Sequence, residues 1–168
     1  MQSSAQDLKS MDTPLAALLA THPFTAGMPA HELAVLAENA MRVFYPAGET
    51  IFREGDPANR FYLIESGAVA LEARATEKET KRIQIIRAGD VLGWSWLFPP
   101  YTWHFDARTI EPTSAIFLFG TRIRQICEEQ PEIGYDLMKR ISEVVLKRLQ
   151  GTRNQLAEAL RSLERGSS

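Results

Sequence analysis

The chain gathers its most distinctive side chains into one short stretch. Trp94, Trp96, Phe98, Tyr101, Trp103 and Phe105 fall within twelve residues and include all three tryptophans of the chain. Gly93, Ser95, His104, Asp106, Ala107 and Arg108 flank or interleave them. Indole and phenyl faces stack on planar, weakly polar groups, while a few hydroxyl, imidazole and charged groups fix orientation. That is the chemistry of recognition. Catalysis requires an acid, base or nucleophile set within reach of a partner, and the sequence offers no such constellation. His22, His31 and His104 lack metal-ligand spacing, and the single cysteine, Cys127, has no His/Asp companions. The expectation is a non-catalytic protein with no metal and no cofactor.

The elements that must position this stretch follow from periodicity. Residues 1–12 are small and polar, as in a frayed tail. Pro14, Leu15, Leu18 and Leu19 predict a short helix capped by Thr13, and Leu33, Leu36 and Ala37 predict a second over 29–40. At Met41 the period becomes two. Val43 and Tyr45, Thr50 and Phe52, Phe61 and Leu63, Val69 and Leu71 alternate in short runs separated by Gly48, Gly55, Pro57 and Gly67. This predicts an antiparallel β-roll of jelly-roll type over 41–119. The charged run 72–81 reads as a solvated hairpin tip, followed by a strand over 82–87, the turn Ala88-Gly89-Asp90, and a closing strand over 114–119.

Beyond Gly120 the pattern is helical, with a short helix over 121–129, a long one from Pro131 to Leu163, and a tail over 164–168. The apolar stripe Leu137, Ile141, Val144, Val145, Leu149, Leu156, Leu160 and Leu163 runs the length of the long helix. Its distal part outreaches the roll, so a homodimer through residues 133–163 is expected. Gly151 sits inside this helix, as a tolerated kink or close helix crossing, or as a hinge. The fold class is α+β: N-terminal helices, an antiparallel β-roll and a long C-terminal dimerisation helix.

Bulk numbers narrow the partners. The 168 residues suit one domain; 45% are hydrophobic and 24% charged, and the net charge of −2 gives no bulk basicity for nucleic acid or an acidic membrane. No apolar run is long enough to span a bilayer and no basic-then-apolar leader opens the chain. A cytoplasmic protein without membrane contact is expected.

The run Tyr45-Pro-Ala-Gly-Glu-Thr-Ile-Phe-Arg-Glu-Gly-Asp-Pro-Ala-Asn-Arg-Phe-Tyr-Leu-Ile-Glu-Ser-Gly-Ala-Val-Ala-Leu71, with the turn Gly89 to Gly93, resembles the cyclic-nucleotide-binding domain of the catabolite-activator and fumarate-nitrate-reduction regulator family. The resemblance covers roughly His22 to Leu163. It implies a phosphate-binding cassette after the turn, in which the family places a glutamate for the ribose and an arginine for the cyclic phosphate. Aligned this way, Trp94 stands at the glutamate and Phe105 at the arginine. An indole donates one hydrogen bond and accepts none. Arg108 lies three residues on with opposite strand parity, which directs it to the other face. In the long helix, Leu149-Gln150-Gly151-Thr152-Arg153 is similar to the family segment that reaches the purine from both subunits; Thr152 matches a hydroxyl and Arg153 replaces a second one.

What the resemblance implies is a sensor module that binds a small effector between roll and helix and signals to a protein partner, with weak or absent cyclic AMP and cyclic GMP binding. Residues after the long helix are too few for a helix-turn-helix, so direct DNA binding is not expected. Two other readings stay open: a ligand-independent dimeric interaction module with the aromatics as core, and a genuine cyclic-nucleotide binder using Arg108 or Arg153.

Overall fold

Two short helices open the part of the chain that this computed structural model describes, residues 14–167. The expected tail over 1–12, the Thr13 cap and Ser168 lie outside the described residues. Helix α1 is Leu15–Thr21 and α2 is Ala30–Glu38. Each follows a proline, Pro14 and Pro29, whose fixed φ and missing N–H cost no helical hydrogen bond there. The second helix stops short of residue 40 because Ala40 already faces Leu118 across a strand pair.

Eight strands follow: β1 Ala40–Tyr45, β2 Thr50–Phe52, β3 Arg60–Ser66, β4 Ala68–Thr76, β5 Glu79–Arg87, β6 Val91–Leu92, β7 Asp106–Thr109 and β8 Thr113–Phe119. They form two four-stranded sheets, ordered β1-β8-β3-β6 and β2-β7-β4-β5, and every pairing is antiparallel. The first sheet is the middle layer. Phe61 and Leu63 of β3 and Ile116 and Leu118 of β8 face the helices. Tyr62, Ile64, Ala115 and Phe117 face the second sheet, where they meet Phe52, Val69, Leu71, Ile86 and Ala107. Burial on both faces explains why β8 is nearly continuous in apolar residues, while the distal β4–β5 hairpin is charged and exposed.

At the β3–β4 corner, space requires a glycine. Gly67 joins β3 to β4 at φ +91°, and a Cβ there would sit 2.7 Å from Thr113 Cα.

Helix α3, Gly120–Glu129, packs against α4, which runs from Pro131 to Gly166 over 36 residues. The expected tail from 164 is therefore helical through Gly166. Polar Glu164 and Arg165 continue the helix because neither breaks it, and the chain leaves it only at Ser167. At ~1.5 Å per residue the helix is about 54 Å long. Its two halves differ. Ile133, Leu137 and Ile141 are covered by the protomer's own core, whereas Leu146, Leu149, Leu156, Leu160 and Leu163 are exposed. The exposed part of this stripe therefore begins beyond Ile141. Gly151 has open space around its Cα within the protomer, so no intramolecular crossing demands it.

Candidate functional site

The turn between β5 and β6 is built by backbone pairing. Gly89 N–H donates to Ile64 O at 2.9 Å, Ile64 N–H donates to Asp90 O at 2.9 Å, and Asp90 N–H donates to Arg87 O at 3.0 Å. Val91 and Leu92 then pair with Leu63 and Tyr62, which hands the chain to Gly93 at φ +81°. The Trp103 ring lies against Gly93, and a Cβ at Gly93 would come within 2.7 Å of its Cη2. Trp103 is also stacked on Phe52, 3.9 Å between centroids and 10° from parallel, and is 4% exposed. The roll side of the turn is filled by aromatic carbon.

The aromatics that are neighbours in sequence are not neighbours in space. Trp96, in the single turn of 3-10 helix Ser95–Leu97, is fully buried on the helix side of the first sheet near Phe61, and its indole Nε1–H has no hydrogen-bond partner among the described residues. Trp103 is buried on the opposite side, inside the roll. Phe98 is exposed, and Tyr101 lies under the Arg124 guanidinium at 4.1 Å. His104 and Phe105 face outward; Phe105 is 37% exposed. Ala107 points into the roll while Arg108 points away, where its Nε donates to Glu72 at 2.8 Å. Asp106 accepts the Glu54 N–H at 2.7 Å and holds β7 to the loop after β2. Ser95 is half-buried at the start of the 3-10 turn.

Trp94 is the aromatic that meets the long helix. Arg148 of α4 places its guanidinium over the Trp94 ring at 4.6 Å and donates from Nη2 to Val91 O. Burial pushes the Arg148 guanidinium down to about 10, partly offset by Asp90. The sequence reading missed Arg148. The signal was available, since it lies four residues before Thr152 and so on the same helix face.

Beside this contact a cleft of about 550 Å³ opens between roll and helix. Gln84, Gly89 and Asp90 form one wall, and Arg148, Thr152 and Gln155 the other. Thr152 lines it; Arg153 does not and is exposed. The cleft thus offers amides, a hydroxyl and both signs of charge, which suits binding and orientation of a polar small molecule. The Cys127 thiol is pushed up by burial and lies outside this cleft, so it supplies no thiolate to it.

Two kinds of likeness bear on this geometry. The family described as the cyclic nucleotide-binding domain matches residues 42–130, which is 89 of the 168 residues. The CRP-like cAMP-activated global transcriptional regulator of Mycobacterium tuberculosis is 29% identical over 143 residues, covering 85% of this chain and 62% of that protein. The chain thus spans under two thirds of that relative's length. The cAMP-dependent protein kinase regulatory subunit of Aspergillus fumigatus is 37% identical over 78 residues, 46% of this chain and 18% of that protein. Among solved structures, a cyclic nucleotide-binding domain from Methylobacillus flagellatus superposes with a TM-score of 0.73 at 16% identity, covering 87% of this chain and 82% of that one, a likeness of fold.

Proposed function

This chain belongs to the cyclic nucleotide-binding domain family, a family of regulatory domains, and we propose that it is a non-catalytic effector sensor whose turn no longer holds cyclic AMP or cyclic GMP tightly. The observation that carries this reading is Trp103 laid across Gly93 and Phe52, which occupies the roll side of the turn. The charges agree. Trp94 cannot accept a hydroxyl's hydrogen bond, Phe105 is outward, and Arg108 is tied to Glu72 on the far face. A charge-assisted hydrogen bond contributes ~1.5–3 kcal/mol and an orphaned anion costs ~2–5. Without the arginine, affinity falls by roughly two to four decades, at about 1.4 kcal/mol each.

The effector's place in this reading is the cleft between roll and α4, with Thr152 and Arg148 against it. A second copy joins through the exposed leucines of α4, and occupancy passes to a protein partner through helix packing. Calorimetric titration of the ligand-stripped protein tests the first part. No heat is expected from millimolar cyclic AMP or cyclic GMP; micromolar binding of either overturns it. A second reading, a ligand-independent interaction module, is favoured by the full burial of Trp96 and near-full burial of Trp103 in the two cores. It predicts that no small molecule protects the cleft residues from hydrogen exchange.

A further inference from the structure

The exposed half of α4 is a leucine seam with one cation in it. Leu146, Leu149, Leu156, Leu160 and Leu163 are between 53% and 69% exposed. Their three- and four-residue steps are the a/d spacing of a two-stranded coiled coil, and the a position that completes the series is Arg153. Arg153 is exposed, and no hydrogen bond or ion pair holds it among the described residues. Within one turn on either side, residues 149–157, the helix carries no acid, and the next one, Glu158, lies on the opposite face. The positions flanking the seam here, Gln150, Thr152, Ala157 and Ala159, are neutral as well.

On the second-copy reading stated above, a parallel pairing sets each a residue against its own counterpart, so the two Arg153 guanidiniums meet on the two-fold axis. Inverting the second copy about the centre of the leucine set still leaves them within one turn of each other. Leucines on both sides strip water from the pair, and no carboxylate is in reach to neutralise it. Two guanidinium forks carry a charge of +2 and donors in the geometry that matches phosphate oxygens.

We propose that the paired Arg153 side chains form a site for one divalent oxyanion of the phosphate type on the dimer axis, and that this anion sets dimer affinity. A monovalent ion leaves one positive charge unbalanced; a divalent one closes the account of charge. The site adjoins Thr152, so axis anion and cleft effector act on consecutive residues of one helical turn.

Sedimentation equilibrium of the full chain in sodium chloride, with inorganic phosphate or adenosine 5′-monophosphate added to 5 mM or so (~5 mM is too dilute for general salting-out) at constant ionic strength, tests this. The dimer dissociation constant should fall about tenfold with the effective anion. Arg153→Leu should give a dimer roughly ten- to a hundredfold tighter in chloride alone and indifferent to the anion. Arg153→Gln should lose the anion response as well. Response to both anions assigns a free oxyanion; response to the nucleotide alone assigns a phosphate ester; both outcomes support the site. A wild-type dimer indifferent to both anions overturns the site alone. Monomer in every condition, Arg153→Leu included, overturns the second-copy reading on which it rests.

Discussion

The two sides of the turn that ends at Gly93 have had opposite fates. On the roll side, Trp103 stacks on Phe52 and closes over the glycine, in a core shared with Tyr62, Ala107 and Phe117. On the helix side, Arg148 reaches Val91 and Trp94 across the edge of an open cleft. The same turn is therefore core on one face and surface on the other. Aromatic carbon filling a cavity contributes stability without specificity, whereas a cation and amides around open space keep the capacity to recognise. The largest difference should appear when each side is cut separately.

Removing the roll side is expected to be the more damaging. Trp103→Ala deletes a 4% exposed indole from between Phe52 and Gly93, and should cost ~3–5 kcal/mol in urea unfolding, with the midpoint shifted and the slope retained. A cost below about 1 kcal/mol would mean that the ring is a lining that neighbours can replace, and the contrast between the two sides would collapse.

The helix side should respond differently. Arg148→Ala removes one hydrogen bond to a carbonyl and one cation–π contact, for a loss of about 1–2 kcal/mol. Its sharper signature is local: hydrogen exchange at residues 91–94 should accelerate while β7 and β8 stay protected. Arg148→Lys should recover only part of that protection, because an ammonium does not reproduce a planar stack. Unchanged exchange at the turn would remove α4 from the description of this site.

How much of this the sequence disclosed depends on the kind of signal. The roll was legible because the glycines and the two-residue alternation act locally and mark short antiparallel strands. The fate of the aromatics was not. Trp96 and Trp103 are seven residues apart, with a 3-10 turn and a loop between them, and no periodicity tells which of two cores each ring enters. Phe105 and Ala107 illustrate the same point, since strand β7 begins only at Asp106 and parity has no meaning before it. Arg148 was hidden for another reason. An arginine on a helix rich in charge looks like solvent-facing surface until the turn that it caps is placed beside it. The long helix was legible in existence and not in extent, because its last residues carry no stop signal before Gly166.

The smallest expected effect comes from His22, which steadies the turn from the helix side at one remove. His22 is 5% exposed; its Nε2–H donates to Ile64 O at 2.9 Å, and its Nδ1 accepts the Phe24 N–H at 3.2 Å. Ile64 is the residue that exchanges hydrogen bonds with Gly89 and Asp90, so the imidazole and the turn share one strand position. A proton on Nδ1 would set two donors face to face, and burial lowers the His22 pKa below its ordinary 6.5 despite the Ile64 bond and the nearby Glu65 and Asp90. The unfolded chain then binds the proton first. Stability from the neutral ring is complete above pH 6.5 and declines as pH falls from there toward the lowered folded value. Glu32 acts in the other direction: its carboxyl is pushed up by burial and by Asp136, so its contribution is present in acid and lost as pH rises through that raised value. Subtraction separates them. The difference in urea midpoint between pH 7.5 and pH 5.5 should shrink in His22→Gln while the Glu32 part persists; only the pH unit below 6.5 counts for the histidine, about 1.4 kcal/mol at most for one proton. An identical difference in wild type and variant would show that the histidine titrates alike folded and unfolded. Protonation of His22 would then have no part in ordering the turn.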